Sequence, residues 1–178
     1  MQIIKTLNNN KGYIFCLKTL DDGRLAVGDS NSNLIIYNKE TFNADIIIQN
    51  NLKSLLNFIQ LKNKNIVCSF KSSLTLKIIK IKNNEEYEDI QIIKNAHNNN
   101  INKIIELKNE NIITFSHDYS FKMWKLNNNN KYERIYEFKD IYQLSDGIEI
   151  KDNEIILYAL DSNPQSLIFY NLKKKRKS

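Results

Sequence analysis

An all-β fold built from a repeated antiparallel unit is predicted by three features of the sequence. Short apolar runs rich in Ile, Leu, Val, Tyr and Phe are punctuated by Asn, Asp, Gly and Ser, the pattern of many short strands separated by turns. No long amphipathic helical stretch interrupts them. Four strong runs, at 33–38, 76–81, 120–126 and 166–172, align on Tyr37, Ile79, Trp124 and Tyr170, which are 42, 45 and 46 residues apart. A period near 40–45 residues with four strands per unit is that of a β-propeller blade, so about four four-stranded antiparallel blades are expected.

Each element of the unit recurs in order. The first apolar stretch lies at 13–17, 55–61, 101–107 and 147–150. A polar turn follows at 21–23, 62–64, 108–110 and 151–153. Asn, Asp and Gly fit there because they tolerate left-handed backbone geometry. A second strand comes next, beginning at Arg24, Asn65, Asn111 and Glu154. The aligned third strand follows, and weaker outer strands are expected at 45–49, 88–93 and 134–138. The blades therefore span approximately 12–49, 53–93, 97–138 and 143–172. The last ends after its third strand, and residues 2–7 supply a candidate fourth. Residues 173–178 form a basic tail.

The third unit opens with Ala96-His97 and runs through Asn111 to Ser116-His117-Asp118, closing its third strand with Trp124-Lys125. It resembles a WD repeat, in which a Gly-His pair opens the unit and Trp-Asp closes the third strand. The resemblance implies a hydrogen-bonded set of His97, a second-strand hydroxyl, Asp118 and Trp124. The hydroxyl is Thr114 or Ser116, which alternate onto one face. Buried polar groups need partners, and a connected set fixes the surrounding loops in one arrangement. The other units depart from the motif: Tyr37-Asn38 closes the first, Ile79 the second and Tyr170-Asn171 the fourth. Repeat spacing covers almost the whole chain, whereas the specific motif covers about a quarter of it.

Most members of that family have more blades than four. Strand exchange between residues 2–7 and the last unit would close a four-blade ring; an open or partial propeller is the preferred expectation. An open arc exposes strand edges and apolar faces, which favours self-association or completion of the propeller by another chain.

The formal net charge is +6, but Lys173, Lys174, Lys175, Arg176 and Lys177 carry five of those charges, so the body is nearly neutral. This tail resembles a short nuclear localisation sequence, and such runs also bind polyanions non-specifically. Cys16 and Cys68 lack C-x-x-C spacing and read as buried, reduced thiols of an intracellular protein. No apolar segment approaches the roughly 20 residues that span a membrane. A cytoplasmic or nuclear location is expected.

No Gly-rich phosphate loop, H-E-x-x-H or G-x-S-x-G sequence is present. Ser116-His117-Asp118 spells a catalytic triad only in letters, because triad members converge from separate segments. Glu85, Glu86 and Glu133 read as solvated hairpin charges. The chain lacks the Trp-Asp-x-Arg of adaptor-docking WD proteins and the strand Arg pair of phosphoinositide-binding propellers. No catalytic residue, cofactor or metal is expected. The expected function is a non-catalytic protein-interaction scaffold, with His117 and Tyr119 as candidate partner-binding residues. The alternative is a nucleic-acid-associated protein using its basic tail.

Overall fold

A computed structural model describes residues 6–7, 12–139, 143–159 and 165–173. Every described element is a strand, and the strands form four antiparallel sheets that follow chain order. The first sheet is β1 (Ile14–Thr19), β2 (Leu25–Asp29), β3 (Asn33–Tyr37) and β4 (Ala44–Gln49). The second is β5 (Leu55–Gln60), β6 (Ile66–Phe70), β7 (Leu76–Ile81) and β8 (Tyr87–Ile93). The third is β9 (Ile101–Glu106), β10 (Ile112–Ser116), β11 (Ser120–Leu126) and β12 (Tyr132–Lys139). The fourth is β13 (Leu144–Lys151), β14 (Glu154–Ala159) and β15 (Ser166–Asn171). The outer strands expected at 45–49, 88–93 and 134–138 are all there, within β4, β8 and β12. The fourth sheet has three strands among the described residues. The strand expected over residues 2–7 falls mostly outside them. Its described end, Thr6 and Leu7, is not in a strand, and Leu7 packs against Val27, Ile35 and Tyr37.

The sheets stack in sequence. The first strands form the contact line: β5 touches β1 on one side and β9 on the other, and β9 touches β13. Because side chains alternate along a strand, each inner sheet has a rear face toward its predecessor and a forward face toward its successor. Between the first and second sheets, Ala26, Leu34 and Ile36 meet Phe58, Ile66, Cys68 and Ile79. Between the second and third, Val67, Leu76 and Ile78 meet Ile104, Ile112 and Trp124. Between the third and fourth, Ile113, Phe121 and Met123 meet Ile155 and Leu157. Thus Tyr37, Ile79, Trp124 and Tyr170 occupy one register position on the rear face of successive sheets. Each buried aliphatic side chain in these layers contributes about 1.5–3 kcal/mol.

Close approach of the layers is local and specific. A Cβ on Gly28 would collide with Leu55 Cδ2 and sit 2.6 Å from Cys16 Sγ; one on Gly147 would sit 2.8 Å from Phe115 Cζ. Side chain to backbone clamps add to the packing. Gln60 Oε1 accepts the Asp21 N–H at 2.7 Å, Glu106 Oε2 the Lys62 N–H at 2.9 Å, and Glu149 Oε2 the Lys108 N–H at 2.6 Å. In each, the end of one sheet's first strand holds the turn of the preceding sheet.

Those turns close with a residue in the left-handed region: Gly23 (φ 87°), Lys64 (φ 68°), Glu110 (φ 66°) and Asn153 (φ 63°). Only glycine adopts that geometry without a Cβ penalty. Glu110→Gly is therefore expected to raise stability by up to about 1 kcal/mol, net of the extra unfolded-state entropy of glycine. Urea denaturation of the two chains measures the difference.

Candidate functional site

Buried between the second and third sheets, the polar cluster around His97 is assembled from three segments of the third unit. His97 lies just before β9, Thr114 on β10, and Ser120 and Trp124 on β11, while Asp118 sits in the β10–β11 hairpin. β10 and β11 pair in unbroken register from Ile112 with Trp124 to Ser116 with Ser120, which holds these side chains at fixed spacing.

His97 Nδ1 lies 3.0 Å from Asp118 Oδ2, and its Nε2 lies 2.8 Å from Thr114 Oγ1. Trp124 donates its indole N–H to the same Thr114 oxygen at 2.9 Å. A ring nitrogen beside a carboxylate carries the proton, so Nδ1–H donates to Asp118 and Nε2 accepts the Thr114 hydroxyl proton. Thr114 then accepts from Trp124, and the chain of donors runs without an orphan. Asp118 also receives the Ser120 hydroxyl at 2.6 Å, the Asn98 N–H at 2.7 Å and the Ser120 N–H at 3.1 Å.

The structure thus brings His97, Thr114, Asp118 and Trp124 together and settles which second-strand hydroxyl takes part. Ser116 sits at the hairpin instead, donating to Asn99 O and accepting the Asp118 N–H, both at 3.1 Å. Ser120 was not among the residues expected from the sequence. The available signal was a hydroxyl two residues beyond Asp118, where an aspartate commonly accepts from its own turn.

Burial opposes charge on both members of the central pair. Desolvation lowers the His97 pKa and outweighs the pull of Asp118, so the ring is neutral near pH 7. Burial alone would raise Asp118, but the hydrogen bonds from His97, Ser120 and Asn98 hold it well below the usual carboxylate range. The folded chain therefore resists both protons that an unfolded chain accepts. The His97 contribution is complete above about pH 6.5, the unfolded value, and is lost as pH falls through the folded value. The Asp118 contribution is complete above about pH 4 and is lost at lower pH. The urea midpoint is expected to fall between pH 7.5 and pH 5, and to fall less in His97→Gln.

The hairpin carries the two candidate contact residues. Tyr119 is 43% exposed and sits at φ 63°, a strained position for an aromatic residue. His117 is half-buried, and its N–H donates to Asn100 O at 3.0 Å. Of the basic tail, Lys173 is described; Lys174, Lys175, Arg176 and Lys177 lie outside the described residues.

Two buried cations were missed by sequence reasoning. Lys77 and Lys122 occupy equivalent positions on β7 and β11, two residues before Ile79 and Trp124. Lys77 bonds Asn50 Oδ1 at 2.9 Å and pairs with Asp89 at 2.8 Å. Lys122 donates to Ala96 O at 2.8 Å, beside the His97 cluster, with Glu137 at 3.9 Å. The thiols are free: Cys68 is buried and Cys16 half-buried against the same core layer. Desolvation pushes Cys16 up to about 11 and Cys68 higher still, so neither is a reactive thiolate at neutral pH. Among the described residues no helix is long and apolar enough to cross a membrane.

No protein-family model matches the sequence, and no curated protein matches it. Solved structures do match. One is titled the crystal structure of the computationally designed Ika4 protein, with a TM-score of 0.73 and 14% identity over 97% of this chain and 99% of that one. At that identity the likeness shows a shared all-β fold and nothing about activity.

Proposed function

We propose that the four sheets are the blades of an open or partial β-propeller of the WD-repeat type, and that the chain is a non-catalytic scaffold that presents its loops and rim to partner proteins. The observation that carries this reading is the buried set of His97, Thr114, Asp118 and Trp124, which fixes the hairpin bearing His117 and exposed Tyr119. A loop held by a satisfied polar network loses little entropy on binding, which is what a recognition surface on a rigid frame needs. Intracellular proteins, in cytoplasm or nucleus, are the partners in this reading.

Affinity capture with the native chain, with a His117→Ala/Tyr119→Ala double variant and with a chain lacking residues 173–177 tests it. The native and tail-deleted chains are expected to retain the same proteins at physiological salt, and the double variant to lose them. Retention by the double variant would remove the hairpin from the account. Capture dominated by nucleic acid, lost with the tail and weakening steeply between low and physiological salt, would favour a nucleic-acid role.

A further inference from the structure

The two ends of the stack carry the halves of one more interface. On the fourth sheet, the forward face repeats the positions that are buried in the three sheets before it. Phe169 is equivalent to Ile36, Ile78 and Met123, yet is 68% exposed. Leu167 is equivalent to buried Leu34, Leu76 and Phe121, yet is 63% exposed. Ile150, which follows β13's clamp residue Glu149 as Leu61 and Leu107 follow Gln60 and Glu106, is exposed where those two leucines are buried. On the first sheet, the rear-face positions of β1 show the complementary defect. Ile14 is 50% exposed where Leu55, Ile101 and Leu144 are buried, and Leu17 is 64% exposed where Phe58 and Ile104 are buried.

We infer that the chain self-associates head to tail, the forward face of its fourth sheet around Leu167 and Phe169 seating against the rear side of the first sheet around Ile14 and Leu17 of a second copy. The occupant is a second copy because Leu167 and Phe169 hold the positions at which β3 and β7 pack against the next sheet's first strand, and Ile14 and Leu17 hold the positions at which β5 and β9 receive them. Among the described residues Leu7 packs against Val27, Ile35 and Tyr37 on the rear side of β2 and β3, and the uncovered apolar positions are those of β1 and of the fourth sheet's forward face. Each copy offers one of each face, so two copies related by a two-fold axis satisfy both and close the assembly. Large apolar residues exposed together on two sheet faces are otherwise an aggregation liability. This inference goes beyond the scaffold reading and stands or falls separately from it.

Sedimentation velocity of the native chain at tens of micromolar is expected to show a species of twice the 21.0 kDa chain mass. Phe169→Glu and Leu17→Glu are each expected to shift it to monomer, with Trp124 fluorescence reporting that the interior remains folded. Leu167→Lys and Ile14→Lys replace either variant that does not fold. A mixture of a forward-face and a rear-face variant retains one intact contact and is expected to associate more than either alone. A monomeric native chain would overturn the inference and leave partner binding untouched. Association that Leu17→Glu leaves intact while Phe169→Glu abolishes it would mean that fourth sheets face each other, and would overturn it equally, as would a mixture that stays monomeric.

Discussion

Trp124→Ala is expected to cost about 3–5 kcal/mol, the range for emptying a large aromatic site in a core. The indole is buried among Leu61, Val67 and Ile112 at the boundary of the second and third sheets, and its N–H ends the hydrogen-bonded chain on Thr114. Both the packing and the polar set lose a member. Stability in a stack of sheets is carried by nearest-neighbour interfaces, so the loss weakens the junction between the first two sheets and the last two. Trp124 is the only tryptophan, so the urea transition has to be followed by far-ultraviolet circular dichroism. With a slope of about 1–3 kcal/mol per molar urea for small proteins, the midpoint is expected to fall by about 1 M or more. A broadened transition would show that the two halves unfold separately.

Thr114→Val is expected to be the second most damaging change, although it barely alters volume. Among the described residues the hydroxyl is the only group that serves both Trp124 Nε1–H and His97 Nε2. Its removal leaves a donor and an acceptor buried without partners, at about 1–3 kcal/mol each. Ser116→Ala removes a hydroxyl of similar type two residues along the same strand, but its partners sit at the hairpin; about 1 kcal/mol is expected there. A double-mutant cycle with Trp124→Phe isolates the shared hydrogen bond. The coupling between the two sites is expected to lie between about 0.5 and 3 kcal/mol. Additive effects would mean that the indole N–H has another partner.

Strand positions were legible because strands in a stack of sheets are chosen by burial. Ile66 to Phe70 is a fully buried strand and reads as an apolar run broken only by Ser69, and the polar turns at 62–64 and 108–110 fall where the backbone reverses. His97, Asp118 and Trp124 were legible through their spacing in one unit. The choice between Thr114 and Ser116 was not, since both point to the same face and only the folded structure shows His97 Nε2 and Trp124 Nε1 meeting at Thr114 Oγ1. Lys77 and Lys122 were hidden for a different reason. A lysine within an apolar strand reads as an outward-facing residue, and only the fold shows Asp89 and Ala96 O waiting for it. The clamps from Gln60, Glu106 and Glu149 left a periodic polar residue at the end of each first strand. That signal acquires meaning only once the next sheet is known to lie beside the preceding turn.

Four antiparallel sheets pack face to face in chain order. Nuclear Overhauser contacts in an isotopically labelled chain test it most directly. Contacts are expected from Gly28 to Leu55, from Ser69 to Ile101 and from Gly147 to Phe115, one at each of the three layer boundaries. A folded chain with its hairpins intact but with none of these three contacts would contradict the stacked arrangement, and the proposed scaffold would lose its frame.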